Sequence, residues 1–571
     1  MRWFAPLFAL LSACDGASLP ADLAAGAVDS AATTLATASS SSGELGSTEA
    51  PITPAVTAPA PASGATYQSG TVVELSTGAV AGREEEGLRV FRGIPYAAPP
   101  VGSLRLRDPQ PVAPWQGVLE AAEFGPACPQ STVSVVDWLS QTDDTDEDCL
   151  TLNVWAHDDG TAKPVMVWLH GGAFFYGAGS QDLYDATAMA NEDVVVVSVN
   201  YRLGALGFLA HPDLGAQVGN DNPGNYGLKD QVAALQWVQE HIAAFGGDPD
   251  NVTVFGESAG AISTCILATL PATDGLMHKA IGQSIVGCHA LPTATTAGAI
   301  GGVPPIEQAR DAVAELGCEG APDLLACLQD APVDDFVGLV NATDLLTGGA
   351  SASFPMPYID GSFVPEAPQD VYARGEADIP MIVGTNQDES TMFLALSAPL
   401  TWFDVDEAVT DVLGTDAYTD DVLELYTLWD YPFPQDAYLT FATDALFSCP
   451  NLALADAQSS GAPVYLYEFQ EHSLTTLALG SHHALELPYV FGTYSSLGIL
   501  FPTASDLALG DAMRGAWADF AHDSDPGWPA WQAGGEWMRF DDRWGTMPEA
   551  AFRDGRCDGL ADAGLGLLEV H

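Results

Sequence analysis

A serine set between two glycines at the end of a β-branched run is the first feature of this chain that can do chemistry. Phe255-Gly256-Glu257-Ser258-Ala259-Gly260 closes the run Val252-Thr253-Val254-Phe255, and Ala261 to Leu270 then reads as a helix. Strand, G-x-S-x-G, helix is the context in which a serine hydroxyl is held outward as a nucleophile. The glycines are needed because the turn is tight and a neighbouring Cβ would clash. The helix begins at the serine, so its free N–H groups and positive dipole end face developing negative charge. That chemistry is acyl transfer. One strand earlier, His170-Gly171-Gly172-Ala173-Phe174 follows Val165-Met166-Val167-Trp168-Leu169. Its small residues leave the N–H groups of Gly172 and Ala173 free to meet an oxyanion. With Ala259 they make two or three donors, each typically worth about 2.7–4 kcal/mol in the transition state.

A serine nucleophile needs an acid and a histidine, in the chain order Ser, acid, His. Gly384-Thr385-Asn386-Gln387-Asp388-Glu389-Ser390 follows the apolar run Met381-Ile382-Val383 and offers two adjacent carboxylates, Asp388 and Glu389. The residues alone do not choose between them, and eleven histidines compete for the base. The elements that must hold these groups are those of an α/β protein. Val165 to Leu169, Val194 to Val199 and Val252 to Phe255 suit buried strands of a largely parallel sheet. Between the last two, Asp230 to Ala244 carries Val232, Leu235, Trp237, Val238 and Ile242 at helical spacing. Strand, helix, strand is the order of a doubly wound sheet.

These features sit among other ordered matches: Phe91-Arg92-Gly93-Ile94-Pro95-Tyr96-Ala97, Glu147-Asp148-Cys149-Leu150-Thr151-Leu152-Asn153-Val154, Asn200-Tyr201-Arg202 and Gly224-Asn225-Tyr226-Gly227-Leu228. Together they resemble the type-B carboxylesterase/cholinesterase family over roughly residues 70 to 571. The resemblance implies an α/β-hydrolase fold, with helices flanking a largely parallel central sheet. It places the acid on Glu389. It places the base on His483, through His483-Ala484-Leu485-Glu486-Leu487-Pro488-Tyr489-Val490-Phe491-Gly492. His482, His472 and the remaining histidines are read as surface residues, and Glu257 as an electrostatic support beside the nucleophile. The implied activity is ester hydrolysis through an acyl-enzyme, on a small-molecule ester and without cofactor or metal. The resemblance also implies disulfides Cys128–Cys149, Cys318–Cys327 and Cys449–Cys557, with Cys265 and Cys288 free, and a structural Arg105–Glu147 ion pair. Two other readings stand beside it. A choline-ester hydrolase would draw on Trp138 for cation–π binding, although Met392 stands where cholinesterases often carry an aromatic. A non-catalytic adhesion protein would have lost the triad, whose three members are all present here.

Composition bounds the partners. Of 571 residues, 47% are apolar and 16% charged, enough to bury a core. Acidic residues outnumber basic ones 76 to 17, a formal charge of −59, which repels phosphate backbones and excludes nucleic acid. The first thirteen residues, with Arg2 and the apolar run Trp3 to Leu11, read as an export signal too short to span a bilayer. Leu11-Ser12-Ala13-Cys14 resembles a lipoprotein processing box, with Cys14 as the lipidated residue. Residues 14–68, rich in Ala, Ser, Thr and Pro, read as a tether that cannot offset its ordering entropy. The expected organisation is a signal over 1–13, the tether, and one esterase domain over 69–571. It would reach the membrane only through the lipid.

Overall fold

The computed structural model describes residues 70–562, apart from 131–143, 158, 219–222, 287, 289–290, 298–302, 341–354, 395–399, 403, 414–418, 428, 473–478, 498 and 500. The signal, Cys14, the tether and Trp138 therefore lie outside the described residues.

A small sheet joins β1 (Val72–Leu75), β2 (Gly78–Ala81) and β5 (Val118–Glu120). The main sheet contains β3 (Arg83–Glu85), β4 (Leu88–Pro95), β6 (Thr151–Ala156), β7 (Lys163–Leu169), β8 (Val195–Val199) and β9 (Gly247–Glu257). It continues through β10 (Lys279–Gln283), β11 (Met381–Asn386), β12 (Val464–Phe469), β13 (Glu536–Phe540) and β14 (Gly545–Pro548). Its order is β14-β13-β12-β11-β10-β9-β7-β8-β6-β4-β3. Every pair from β13 to β8 is parallel, and antiparallel pairing is confined to the two ends. Every residue of β7, β8, β10 and β11 is buried, which is why residues 165–169 in β7, Val195–Val199 in β8 and residues 381–383 in β11 read as near-continuous apolar runs rather than alternating ones.

Two boundaries differ from the sequence expectation, each for a local reason. Helix α1 (Tyr226–His241) starts four residues before Asp230, because Asn225 takes a left-handed turn at φ 50°. The Asn225 amide donates to Tyr358 O at 2.9 Å and Asp360 Oδ2 at 3.0 Å, which locks that turn. Helix α2 (Ala259–Leu267) starts directly after Ser258, whose carbonyl accepts from Ile262 N–H at 2.9 Å. All of α2 is buried, as expected for a helix apolar on every side. Trp168 of β7 lies 4.9 Å, between ring centroids, from both Phe255 of β9 and Phe491. This packing ties the two central strands to the segment that follows His483. Among the described residues, no helix is long and apolar enough to cross a membrane.

Candidate active site

The parallel strands deliver the candidate residues to one edge of the sheet, their carboxyl ends, where open α/β sheets bind ligands. Ser258 follows β9 with φ 55° and ψ −121°, a conformation costly for any residue with a Cβ. Its neighbours explain how the turn is tolerated. A Cβ on Gly256 would lie 2.5 Å from the Gly260 carbonyl carbon, and one on Gly260 would collide with Leu169 O. Ser258 itself is half-buried, while Glu257 and Ala259 on either side are buried. The glycine loop after β7 packs directly on this turn: a Cβ on Gly171 would sit 2.5 Å from Glu257 Oε2 and 3.2 Å from Ser258 Cβ. Gly172, Ala173 and Phe174 have φ of 109°, 49° and 63°, a left-handed run that bends the loop over the serine. Among the described residues, no backbone carbonyl accepts from the N–H of Gly172, Ala173 or Ala259. His170 braces the loop. Its ring stacks on Tyr201 at 4.4 Å, its carbonyl accepts from Tyr201 OH at 2.7 Å, and burial pushes its imidazole down to about 4.

Glu389 is fully buried beyond β11, and its Oε2 accepts from His483 Nδ1 at 2.6 Å. Its Oε1 accepts from Asn386 N–H at 2.6 Å, Ser284 Oγ at 2.5 Å and Thr385 Oγ1 at 3.0 Å. Asp388 is separated from this pair. Its carboxylate accepts from Ser481 N–H at 2.9 Å and so holds the loop that leads to His483. His482, like His170, His211 and His241, is buried rather than on the surface, and its Nδ1 lies 2.7 Å from the His483 carbonyl oxygen. For His482 the expected surface placement fails because the Asn386 amide captures its carbonyl at 2.9 Å and draws the loop inward. On its other side, His483 Nε2 is 2.9 Å from Glu257 Oε1, at ion-pair distance, yet it makes no aligned hydrogen bond. That nitrogen is free to take up a serine hydroxyl, an alignment that tightens when substrate binds.

The chain matches the carboxylesterase family over residues 69–550. The para-nitrobenzyl esterase of Bacillus subtilis (strain 168) is 37% identical over 475 residues, spanning 81% of this chain and 92% of the relative. The fumonisin B1 esterase of Sphingopyxis macrogoltabida is 33% identical over 500 residues, spanning 83% and 87%. A solved PNB esterase superposes with a TM-score of 0.74 at 34% identity, covering 85% of this chain and 99% of that one. This chain belongs to the carboxylesterase family. It is a serine carboxylesterase with an α/β-hydrolase fold, a hydrolase of carboxylic esters.

Among the described residues, the carboxylesterase fold is stapled by four disulfides, one more than the resemblance implied. Cys128–Cys149, Cys318–Cys327 and Cys449–Cys557 are present with Cα separations of 5.0, 5.8 and 5.2 Å. Cys265 and Cys288, expected to be free, are also paired, with Cα atoms 6.3 Å apart. The reason is topological. β10 lies beside β9 in the sheet, so the loop after β10 passes under α2, where Cys265 sits two turns beyond Ser258. The implied ion pair is also present: Arg105 forks onto Glu147 at 2.7 and 2.6 Å.

Four residues in this carboxylesterase site escaped the sequence reading. Ser284 carries no motif and reaches Glu389 only because β10 pairs with β11. Phe393 and Phe447 pack on the His483 ring, at 4.9 and 5.3 Å between centroids. Glu486 was in plain view, three residues beyond His483. Its Oε1 accepts from Gln283 Nε2 at 3.0 Å and its Oε2 from Asn386 Nδ2 at 2.5 Å. Burial, then the charges of Glu257 and Glu389, push its carboxyl up to about 8.

For His483, burial alone would lower the pKa, but the charges of Glu257 and then Glu389, with the Nδ1 hydrogen bond to Glu389, hold it well above the usual range. A protonated imidazole cannot accept a proton, so kcat/KM should fall as pH drops through that raised value. Glu257→Gln removes the first of the raising charges, and the acid limb should move to lower pH. A kcat/KM profile on a non-ionising ester checks this, and an unmoved limb contradicts it.

Proposed function

We propose that Ser258, His483 and Glu389 are the catalytic triad of this carboxylesterase, with Gly172, Ala173 and Ala259 as its oxyanion hole and Glu257 in support. The observation that carries the reading is the buried Glu389–His483 hydrogen bond, beside a serine held in a strained turn. In acylation, Ser258 Oγ attacks the ester carbonyl while His483 Nε2 takes its proton. The carbonyl electrons move to oxygen, where the three backbone N–H groups stabilise them. The intermediate collapses, the C–O bond to the alcohol breaks, and His483 returns the proton to the leaving oxygen. Water repeats the cycle to release the acid and restore Ser258. Glu389 keeps Nδ1 protonated throughout and stabilises the imidazolium. The choline-ester reading has no support in the described residues, since Trp138 lies outside them and Met392 is a buried thioether.

The acyl side of the pocket is proposed to be roomy. Registered on Pro357-Tyr358-Ile359-Asp360-Gly361, the positions at which acetyl-selective cholinesterases carry bulky aromatics fall on Ser351 and Ser353, and a third wall position falls on Ala290. All three lie outside the described residues. Each added methylene accommodated there is worth up to about 0.8 kcal/mol, roughly fourfold in kcat/KM. Rates should climb from acetyl to butyryl or hexanoyl esters, and Ser353→Phe should reverse the climb. Steady-state kcat/KM over an acyl series decides it, and an acetyl preference in the wild type overturns it.

The enzyme is further proposed to be exported and anchored through lipid on Cys14. Support comes from the apolar start, the Leu-Ser-Ala-Cys box and the low-complexity tether. Mass spectrometry of the mature N-terminus should find diacylglyceryl-modified Cys14. An unmodified chain beginning elsewhere removes the anchor.

A further inference from the structure

Helix α3 (Pro434–Thr443) does not run regularly into α4 (Cys449–Gln458). Between them Asp444–Ser448 forms a π-helical turn, in which Cys449 N–H reaches back to Asp444 O. Such turns are uncommon and concentrate at functional sites. This one lies against the acid and base from several directions. Thr443 Oγ1 accepts from the N–H of Ser390, the residue directly after Glu389, at 3.1 Å. Asp444 is fully buried and binds Arg553, together with Arg556 Nε at 2.6 Å and Tyr426 OH at 2.9 Å. Arg553 then donates from Nη1 to the carbonyl of Gln387, two residues before Glu389, at 2.7 Å, and to Glu468 Oε1 at 3.1 Å. Phe447 places its ring 5.3 Å from the His483 imidazole and stacks over Phe393 at 6.5 Å. The next residue but one, Cys449, is bonded to Cys557, four residues beyond Arg553.

Glu389 is therefore gripped through its backbone on both sides, at Gln387 O and at Ser390 N–H. Both grips trace to one helical irregularity, which also supports the face of the imidazole. A backbone that moved by even a fraction of an ångström here would change the Glu389–His483 distance, and misplacement of about 1 Å can cost about 100-fold in rate. We propose that the π-helical turn Asp444–Ser448, clamped by Arg553, is a positioning element for the Glu389–His483 pair. Thr443, Asp444, Phe447 and Arg553 are thus positioning residues that act through the acid and the base. The inference rests on the triad reading above.

The test uses the intact enzyme and counts active sites by the stoichiometric burst of alcohol released on acylation. Thr443→Val is nearly isosteric and leaves no buried charge, so it removes the grip on Ser390 N–H alone. It should lower kcat per active site about fivefold or more, with KM nearly unchanged, and Thr443→Ser should restore it. Phe447→Leu should lower kcat likewise. It should also displace the acid limb of kcat/KM, because the His483 imidazole loses the ring that holds it in its seat between Glu389 and Glu257, with Glu486 and His482 the other titratable groups nearby. Unchanged kcat per active site and an unmoved limb, even with a lower melting temperature, would reduce the turn to a structural role and overturn the inference. If Phe447→Leu does not fold, Thr443→Val and its rescue decide alone. Failure of the triad reading has a different signature: no burst in the wild type, or a burst that survives Ser258→Ala.

Discussion

Ser258→Ala is expected to lower kcat for a simple ester by about 10⁶-fold while the protein keeps its fold and melting temperature. The size follows from the proposed role of the serine as nucleophile of the triad: without Oγ, His483 and Glu389 have no bond to help form. The residual rate, about 10³–10⁴ over water, would come from the oxyanion donors and from substrate binding. The fold should survive because the Ser258 backbone is held independently of the hydroxyl. Its N–H donates to Gln283 O at 3.0 Å and its carbonyl accepts from Ile262 N–H at 2.9 Å. Alanine keeps the same Cβ, so it inherits the turn with its strain unchanged. Initial rates and a burst titration of the purified variant, beside its melting curve, check the expectation. Near-wild-type turnover would remove Ser258 from the mechanism.

Glu389→Gln should cost about 10⁴-fold in kcat with a much smaller change in KM. The two side chains have nearly the same shape, so packing is not the issue; the tautomer of His483 is. Asn386 N–H and the hydroxyls of Ser284 and Thr385 all bond Oε1 of Glu389. In the variant these groups hold the amide oxygen, and the NH₂ is left facing His483 Nδ1. Nδ1 must then accept, which puts the proton on Nε2, the nitrogen that has to receive the proton of Ser258. Activity should recover partly at high pH, where hydroxide can take the proton of Ser258 in place of the mis-set imidazole. A pH profile of kcat in the variant tests this. A loss of less than tenfold, or a flat profile, would mean that Glu389 does not set the tautomer.

Much of this site was legible in the chain because its chemistry is local. G-x-S-x-G needs no partner to be recognised: two glycines beside a serine, after a β-branched run and before a helix, describe the strained turn found at Ser258. The glycine loop after β7 is equally local. The acid and base were legible only in part. Composition and spacing left Asp388 beside Glu389 and His482 beside His483. In both pairs the resemblance favoured the residue that the fold places in the hydrogen-bonded pair. Neighbouring residues in a loop differ in direction rather than in type, and direction is decided by what the loop is bonded to. Asp388 turns to Ser481, and the Asn386 amide draws in the carbonyl of His482.

The sequence by itself determined the family, the serine turn, the glycine loop after β7 and the parallel sheet, because each depends on backbone geometry that a few consecutive residues impose. Only the tertiary structure decided the rest. Ser284 reaches Glu389 across 105 residues of sequence, and Arg553 reaches Gln387 across 166. Cys265 and Cys288 pair because adjacent strands bring α2 over the loop that follows β10. The pKa values around His483 belong to this second class as well. Burial and the convergence of Glu257, Glu389 and Glu486 are properties of strands laid side by side, and one-dimensional order carries no distance between them.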